Sequence, residues 1–362
     1  MRIDTVEICN FRNYEKARLD FHEHTNILYG DNAQGKTNIL ESIFVCGTTK
    51  SHKGSKDKDL IRIGQEEAHI RVILTKKDIS HKIDMHLRKS KPKGIAIDGI
   101  PIRRSSELMG LANMIFFSPE DLRIIKNGPS ERRRFINMEL SQLDHMYLHN
   151  LGEYNKALNQ RNKLLKQIYY NPSLKDTLEV WDMQLLEYGC KLIQRRKQFV
   201  TQLREIVYEI NKKLTGGIEH LHIRYDLNTE EDDYEEKLRE SMERDLRFAT
   251  TNVGPHRDDL SFFNGEVDLR KYGSQGQQRT CALSLKLAEI ELVRQLTGDE
   301  PVLLLDDVLS ELDRNRQNYL LDSIYDIQTI VTCTGLEEFI DKNMTLDKIF
   351  RVVNGTILVE NQ

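Results

Sequence analysis

The amino-acid sequence predicts an α/β fold whose core is interrupted by an inserted α-helical hairpin. Residues 30–37 read Gly-Asp-Asn-Ala-Gln-Gly-Lys-Thr and lie between an apolar stretch, residues 25–29, and a helix-like stretch, residues 38–44. A second apolar stretch, Val302–Asp307, ends in two aspartates about 270 residues later. Between them, apolar residues first recur with a period of two and then with a period near 3.6, as in strands followed by long helices. We therefore expect a mixed sheet with helices, an antiparallel β subdomain and a helical insertion.

The composition is typical of a helix-rich protein that folds in water. The chain has 362 residues, of which 30% are charged and 39% hydrophobic, and its net charge is −4. This balance excludes a uniformly basic, histone-like binder, so any contact with nucleic acid must come from local patches. No apolar run approaches the ~20 residues that cross a bilayer, and the first residues lack a signal-peptide core. Five scattered cysteines without C-x-x-C spacing favour reduced thiols in a cytoplasmic protein.

Residues 30–37 match G-x-x-x-x-G-K-[ST] at every fixed position, in the strand, loop and helix context that this motif requires. The glycines allow backbone N–H groups to close around phosphates, and the helix N-terminus adds a positive dipole end. We predict that Lys36 reaches the phosphates and acts catalytically, and that the Thr37 hydroxyl binds Mg²⁺. A chance match in a glycine-containing turn is the alternative. The predicted ATP-binding residues are Gly30, Asp31, Asn32, Ala33, Gln34, Gly35, Lys36 and Thr37.

The first 125 residues are predicted to alternate between strands and turns. The predicted strands contain residues 3–8, 17–21, 25–29, 69–74, 81–87, 95–97 and 113–117. Turns are expected at Phe11–Tyr14 and at Asp98-Gly99, the latter within a set of antiparallel hairpins. Arg12, in the first turn, lies either near the nucleotide or on the surface as an ordinary arginine.

Four basic stretches are candidates for contact with nucleic-acid phosphates. They are Lys50–Lys58, Arg88–Lys93, Arg103-Arg104 and Arg132–Arg134. The first is equally explained as a solvated loop, and the second as a charged loop tip that discourages aggregation. The sequence does not choose between these explanations and phosphate contact.

Residues 126–249 are predicted to form the helical insertion. A helix is expected to start at Gly128-Pro129-Ser130, with Ser130 as its N-cap. Apolar spacings of three, four and seven then predict one long amphipathic helix to Ile168, a break at Asn171–Ser173 and a second helix that ends at Thr215–Gly217. Two such helices form an antiparallel hairpin, with arms of about 45–60 Å at 1.5 Å per residue.

Residues 250–362 return to sheet and carry the second set of polar residues. Val302–Asp307 is typical of a buried strand that brings a carboxylate to a nucleotide. We predict Asp306 as the metal ligand and Asp307 as the catalytic residue that polarises the attacking water. Solvated carboxylates at the end of a core strand are the alternative. Because these residues must meet residues 30–37 across one nucleotide, the helical hairpin is predicted to be an insertion into a single core.

Ser274, Gln275, Gly276 and Gln277 directly precede a strong predicted helix, Arg279–Gln295. Serine and glycine at a helix N-terminus can bind an anion. Since residues 30–37 already surround one side of the nucleotide, a second anion site is useful only if it faces the γ-phosphate from outside. The simplest source of this second anion site is a second copy of the chain. An ordinary serine N-cap is the alternative.

The order of these segments resembles the ABC-type ATPase heads of the SMC and Rad50 proteins. In that comparison, residues 274–277 correspond to the signature motif and Ser310–Asp313 to the D-loop. Within the family, the short helical hairpin and several stretches of sequence are similar to bacterial recombination mediators, and the similarity covers nearly the whole chain. These stretches are Phe11–Tyr14, Gly30–Asn38, Phe117–Asp121, Glu131–Phe135, Gly254–Asp258 and Leu304–Asp313.

The resemblance implies an ATP-dependent homodimer that uses Mg²⁺ and binds DNA at gaps and at junctions between single-stranded and double-stranded DNA. It also implies that the chain works with RecR and RecO to load RecA. Two departures from the ABC pattern, Asp307 in place of glutamate and a strand near Thr332 without the usual histidine, predict slow hydrolysis that serves as a switch. We therefore expect a weak ATPase, which DNA would stimulate. Gln142 is a candidate for the Q-loop glutamine.

The predicted domains are the N-terminal half of the ATPase domain at residues 1–125, the helical lobe at residues 126–249 and the C-terminal half at residues 250–362. Two other functions are compatible with these features. One is a soluble ABC-type ATPase that does not act on DNA, such as a transporter motor or a translation factor, although the missing histidine and the hairpin count against it. The other is a DNA-binding scaffold in which ATP is only structural.

Overall fold

In the computed structural model, the apolar runs near residues 25, 302 and 329 form neighbouring strands of one sheet. The structure describes residues 1–336 and 347–360. It divides into two units, one comprising Met1–Asp121 together with the residues from Glu289 onward, the other Leu122–Ala288. The division at residues 125 and 249 that we derive from the sequence stays a prediction, because compactness alone does not define a folding domain.

The elements are named here in chain order. The strands are β1 (Arg2–Phe11), β2 (Tyr14–Asp20), β3 (Thr25–Tyr29), β4 (Glu67–Lys76), β5 (Ile79–Arg88), β6 (Gly94–Ile97), β7 (Ile100–Pro101), β8 (Met114–Phe117), β9 (Leu221–Asp226), β10 (Asp259–Asn264), β11 (Val267–Asp268), β12 (Val302–Asp306), β13 (Thr329–Cys333), β14 (Lys348–Val353) and β15 (Thr356–Glu360). The α-helices are α1 (Lys36–Thr48), α2 (Asp57–Leu60), α3 (Leu122–Lys126), α4 (Pro129–Leu143), α5 (His145–Ile168), α6 (Leu178–Leu214), α7 (Tyr234–Glu240), α8 (Met242–Phe248), α9 (Leu269–Tyr272), α10 (Gln275–Thr297) and α11 (Arg314–Ser323).

The first unit contains an antiparallel sheet in the order β2-β1-β4-β5-β6-β7. Its strands alternate buried apolar and more exposed polar side chains, as Ile70, Val72 and Leu74 do in β4. This alternation is expected when one face of a sheet covers a core and the other faces water. The predicted hairpins, including the turn at Asp98-Gly99, are confirmed.

The same unit contains a mixed sheet in the order β15-β14-β3-β13-β12-β8. Strands β14, β3, β13, β12 and β8 are parallel, and β15 pairs antiparallel at the edge. Strands β12 and β13 are buried along their whole length, which explains their continuous apolar sequences. Because parallel strands present their carboxyl ends at one edge, the residues that follow β3, β12, β13 and β8 are brought together there. This topology joins residues 30–37 to Asp306 and Asp307.

The second unit contains the predicted helical hairpin, α5 and α6, and a small sheet in the order β11-β10-β9. Helix α6 has 37 residues and α5 has 24, so their lengths are about 56 and 36 Å at 1.5 Å per residue. No helix in the described parts of the chain is long and apolar enough to cross a membrane.

The predicted N-cap Ser130 is wrong. Gly128 occupies that position, with extended backbone angles of −73° and 173°, and Pro129 is the first helical residue of α4. Proline is favoured at the first helical position because its fixed φ suits the helix and no hydrogen bond is lost there. The proline therefore decides where this helix begins.

The single long helix predicted up to Ile168 is also wrong, because Asp144 divides it into α4 and α5. Asp144 adopts an extended conformation, with φ −144° and ψ 104°, and its carboxylate accepts hydrogen bonds from the backbone N–H groups of Met146 and Tyr147 at 2.9 and 3.0 Å. An aspartate in this position is a strong N-cap. The apolar period continues across the break, so periodicity alone does not reveal it.

Candidate nucleotide-binding site

The loop of residues 30–37 connects β3 to α1 at the carboxyl edge of the mixed sheet. Gly30 and Gly35 have φ values of +147° and +113°, a region that glycine tolerates best. A Cβ atom on Gly30 would lie 2.4 Å from the carbonyl oxygen of Val352. On Gly35 it would lie 2.5 to 2.9 Å from side-chain atoms of Asn13 and Tyr14. Both glycines are therefore required by their close neighbours as well as by the backbone conformation.

Two turns brace this loop through its oxygen atoms. The Asn13 side-chain amide donates to the Gln34 carbonyl at 3.0 Å, and the Tyr14 hydroxyl donates to the Gly35 carbonyl at 3.1 Å. From the β14–β15 turn, the backbone N–H of Asn354 donates to the Gln34 side-chain oxygen at 2.6 Å. The predicted turn at residues 11–14 is thus confirmed, and its side chains hold the loop by hydrogen bonds to its carbonyl oxygens.

Lys36 is buried at the start of α1, and its ammonium group donates hydrogen bonds to the carbonyl oxygens of Gly30 and Asp31. Burial lowers the pKa of Lys36, and the carboxylates of Asp307 and Asp306 act in the opposite direction. A partly desolvated cation in this position gains from a nearby anion. It can therefore neutralise phosphate oxygens held by the loop.

Asp306, Thr37 and Thr332 form a compact group of oxygen atoms. Oδ1 of Asp306 accepts hydrogen bonds from the hydroxyl of Thr37 at 2.7 Å and from the hydroxyl of Thr332 at 2.8 Å. Burial raises the pKa of Asp306, and these two hydrogen bonds partly offset the effect. A carboxylate beside a hydroxyl is the hard-oxygen donor set that Mg²⁺ prefers, so these residues fit that ion.

Asp307 adopts a left-handed backbone conformation, with φ +52°, which is uncommon for a residue other than glycine. Its backbone N–H donates to the Thr332 hydroxyl at 3.0 Å, and the Ser310 hydroxyl donates to its carbonyl at 2.9 Å. These bonds hold the strained turn that follows β12. Asp307 remains half-buried beside Asp306 and lines the cleft.

The cleft around these residues has a volume of about 420 Å³. It contains most of the predicted phosphate-binding residues, but the sequence did not predict several others. The lining residues are Asn32, Ala33, Gln34, Gly35, Lys36, Thr37, Asn38, His52, Lys53, Ser118, Pro119, Glu120, Asp306, Asp307 and Thr332. Residues 118–120 follow β8 at the same sheet edge, so the strand order would have indicated them. His52 and Lys53 lie in the basic stretch Lys50–Lys58, which the sequence indicates only as a candidate contact for nucleic acid.

Arg12 does not line the cleft. Its guanidinium donates to both carboxylate oxygens of the buried Glu41, at 2.8 and 3.0 Å, and to the Ser55 hydroxyl at 2.9 Å. The Ser51 hydroxyl also donates to Glu41, at 2.5 Å. The Arg12–Glu41 pair thus anchors both ends of the segment that carries Lys53. Gln142, the Q-loop candidate, is buried on α4 and is not among the lining residues.

Residues 274–277 begin α10 in the second unit. The Ser274 hydroxyl accepts a hydrogen bond from the Gln277 N–H at 3.2 Å, and the Gln277 side-chain oxygen accepts one from the Ser274 N–H at 2.9 Å. This reciprocal arrangement is a capping box. Ser274, Gln275 and Gly276 are exposed, and they are not among the cleft-lining residues. The segment therefore caps a helix and also presents a free surface.

Comparisons with known proteins agree with this geometry. Residues 2–357 match the family model described as RecF/RecN/SMC N terminal domain. The DNA replication and repair protein RecF of Lachnoclostridium phytofermentans is 63% identical over 357 residues, which cover 99% of each chain. The protein of the same name from Lachnospira eligens is 58% identical over 363 residues, which cover 100% of each chain.

Among solved structures, the recombination mediator protein RecF with ATP in the RecFOR pathway is 35% identical, with a TM-score of 0.93. The match covers 99% of this chain and 98% of that one. The predicted ABC-type ATPase head with an inserted helical lobe is thereby confirmed as the fold.

Proposed function

The chain belongs to the RecF/RecN/SMC N-terminal domain family, with RecF proteins as its relatives, and on that premise we propose that it is an ATP-dependent, DNA-binding recombination mediator. It dimerises when ATP binds, and it binds gapped DNA and junctions between single-stranded and double-stranded DNA. It then helps RecR and RecO to load RecA during repair and replication restart. The observation that carries the proposal is the convergence of Lys36, Thr37 and Asp306 in one cleft.

Different residues of the cleft bind different parts of ATP. Backbone N–H groups of residues 30–35 surround the phosphates, and Lys36 neutralises their β and γ oxygens. Thr37 and Asp306 would hold Mg²⁺, which supplies further charge neutralisation on the phosphates when bound. Asp307 orients and polarises the water that attacks the γ-phosphate. Its side chain is one methylene shorter than the usual glutamate, so hydrolysis is slow and serves as a switch.

A second copy of the chain completes the site. Ser274, Gln275, Gly276 and Gln277 of the partner face the γ-phosphate, where the exposed start of α10 offers N–H groups and a positive dipole end. The capping box supports this role because it holds Ser274 in one conformation. Nucleotide state and dimer state are then linked through one set of residues.

DNA binding tests the proposal. We expect the wild-type protein with ATP and Mg²⁺ to bind a labelled gapped duplex at least several-fold more tightly than a blunt duplex of equal length at one fixed salt concentration. Lys36→Ala should abolish the effect of ATP, because the cation that neutralises the phosphates is lost. Equal affinity for both DNAs, with and without ATP, would contradict the proposed mediator.

The same experiment separates the rival functions. A soluble ABC-type ATPase that does not act on DNA would bind neither duplex in any nucleotide state. A DNA-binding scaffold with structural ATP would bind DNA but show no ATP turnover that DNA stimulates. Turnover measured beside the binding titration therefore distinguishes all three.

A further inference from the structure

Two arginines of the second unit carry guanidinium groups that form no salt bridge within residues 1–336 and 347–360. Arg133 lies half-buried near the N-terminus of α4, and its Nη1 donates to the carbonyl oxygen of Asp258 at 2.8 Å. Arg257 is exposed, and its Nε and Nη2 donate to the carbonyl oxygen of Thr251 at 3.3 and 2.9 Å. Each side chain is thus held by a neutral oxygen.

The aspartates beside them are already engaged. Both carboxylate oxygens of Asp259 accept hydrogen bonds from the buried Arg132, at 2.6 and 3.0 Å. Asp258 accepts from the buried Arg196 at 3.2 Å, from the Tyr225 hydroxyl and from the Asn228 N–H. The negative charges of the two aspartates are therefore paired with Arg132 and Arg196. The positive charges of Arg133 and Arg257 are not neutralised by either aspartate in this way.

The groups around Arg133 add little negative charge to offset these two guanidinium groups. Burial lowers the pKa of Arg133, and the nearby charges of Arg196 and Arg257 lower it further, although Asp259 and Asp258 oppose the shift. His256, between Pro255 and Arg257, adds no positive charge at neutral pH because burial lowers its pKa to about 4. A bound anion would relieve the repulsion between the guanidinium groups.

We propose that Arg133 and Arg257 form a binding site for backbone phosphates of DNA beside the turn at residues 254–258. Each guanidinium has five N–H donors in a planar fork, and the carbonyl contacts use one donor of Arg133 and two of Arg257. The fork matches the paired oxygens of a phosphate, and its anchoring reduces the entropy lost on binding. The inference rests on the DNA-binding function proposed above and assigns one contact of that function.

This proposal favours one of the four basic stretches that the sequence predicts as candidates for phosphate contact. Arg132 is excluded because it is fully buried and bound to Asp259. Arg133, in the same stretch, donates to the carbonyl oxygen of Asp258 and forms no salt bridge within residues 1–336 and 347–360. Its partner Arg257 comes from the Gly254–Asp258 stretch, about 125 residues away in sequence, and no basic run marks that position.

The test uses Arg133→Gln, Arg257→Gln and the double variant in the full-length chain. The matched control is Arg204→Gln, which removes the same charge from an exposed arginine of α6. Affinity for a labelled gapped duplex is measured with ATP and Mg²⁺ at several salt concentrations. We expect each single variant to bind about tenfold more weakly, and to reduce the slope of log affinity against log salt by about 0.9. The double variant should show about twice the change in slope, and the control none.

Unchanged affinity and slope in the double variant, with normal binding by the wild type, would overturn this site and leave the proposed function intact. Failure of the wild type to bind DNA would overturn both. The variants must also bind ATP and dimerise as the wild type does. If they lose dimerisation first, the anion belongs to the partner chain or to the nucleotide, and the DNA site is wrong. Arg133→Lys with Arg257→Lys keeps the charge, so it should retain the wild-type slope even if Gln variants fold poorly.

Discussion

Single residues of the candidate site differ in how far the sequence determines them. Gly30, Gly35, Lys36 and Thr37 belong to one short motif whose spacing reflects local backbone geometry, so the sequence predicts them together. Lys53 also lines the cleft, yet its place depends on the distant Arg12–Glu41 pair that anchors Ser51 and Ser55. Such a contact becomes visible only after the chain has folded.

Lys53 is expected to contribute to ATP turnover. Its ammonium group lies close enough to lower the pKa of Asp306, and it lines the same cleft as Lys36. We predict that Lys53→Gln lowers DNA-stimulated turnover about tenfold, because a cation beside the developing phosphate charge is lost. Steady-state turnover with a gapped duplex measures this effect.

The control for Lys53 is Lys56→Gln, which removes the same charge from an exposed lysine three positions further on. Lys56 is not among the cleft-lining residues, so turnover should stay within about twofold of wild type. Equal losses in both variants would mean that the general charge of the loop matters, and not the position of Lys53.

At the scale of elements, buried ion pairs connect the helices of the second unit to residues 245–259. Arg132 of α4 binds Asp259, Arg161 of α5 binds Asp245 at 2.5 Å, and Arg196 of α6 binds Asp258. All three guanidinium groups are almost completely buried. Breaking a buried pair leaves an uncompensated charge, which is strongly destabilising. These three pairs therefore hold residues 245–259 against three helices.

The turn at Gly254–Asp258 also predicts a pH dependence of stability. Nδ1 of His256 accepts a hydrogen bond from the Tyr154 hydroxyl at 2.7 Å, and its Nε2–H donates to the Thr251 carbonyl at 3.0 Å. Burial lowers its pKa from 6.5 to about 4. Below pH 6.5 the unfolded chain binds the proton and the folded chain does not, so stability is full above that pH and is lost as the pH falls.

We predict that His256→Gln removes about 2 kcal/mol of the decrease in unfolding free energy between pH 7 and pH 5. Urea unfolding at the two pH values measures it. His149→Gln, at an exposed histidine of α5, should leave the decrease unchanged. Identical decreases in the wild type and in His256→Gln would show that His256 does not titrate with folding.

The sequence predicts most strands and helices, and the exceptions have physical reasons. Periodicity reports only which face of a helix is buried, so the break at Asp144 escapes it although aspartate is a good N-cap. The prediction does not contain strand β9, in which the buried Leu221 and Ile223 alternate with more exposed residues. The strands β14 and β15 were missed as well, although Asn354-Gly355 between them is a hairpin signal.

At the scale of the whole molecule, the order of the segments already indicates an insertion. Residues 30–37 and Val302–Asp307 must meet at one nucleotide, and the parallel sheet that joins them contains strands from both ends of the chain. The sequence therefore predicts the fold class. It does not predict which charges remain unpaired. Arg132 and Arg133 are adjacent in sequence, yet of the two only Arg132 has a carboxylate partner among the residues that the structure describes.

The central claim is that ATP joins two copies of the chain through residues 274–277. The direct measurement is the mass of the protein in solution with and without ATP and Mg²⁺, for wild type, Ser274→Arg and the control Ser173→Arg in the exposed α5–α6 connection. We predict that ATP converts wild type and control from one copy to two. The Ser274→Arg variant should bind ATP and remain a single copy, because the long, charged side chain blocks the partner's γ-phosphate site. A Ser274→Arg variant that dimerises normally with ATP, or a wild type that stays a monomer, would contradict the shared site.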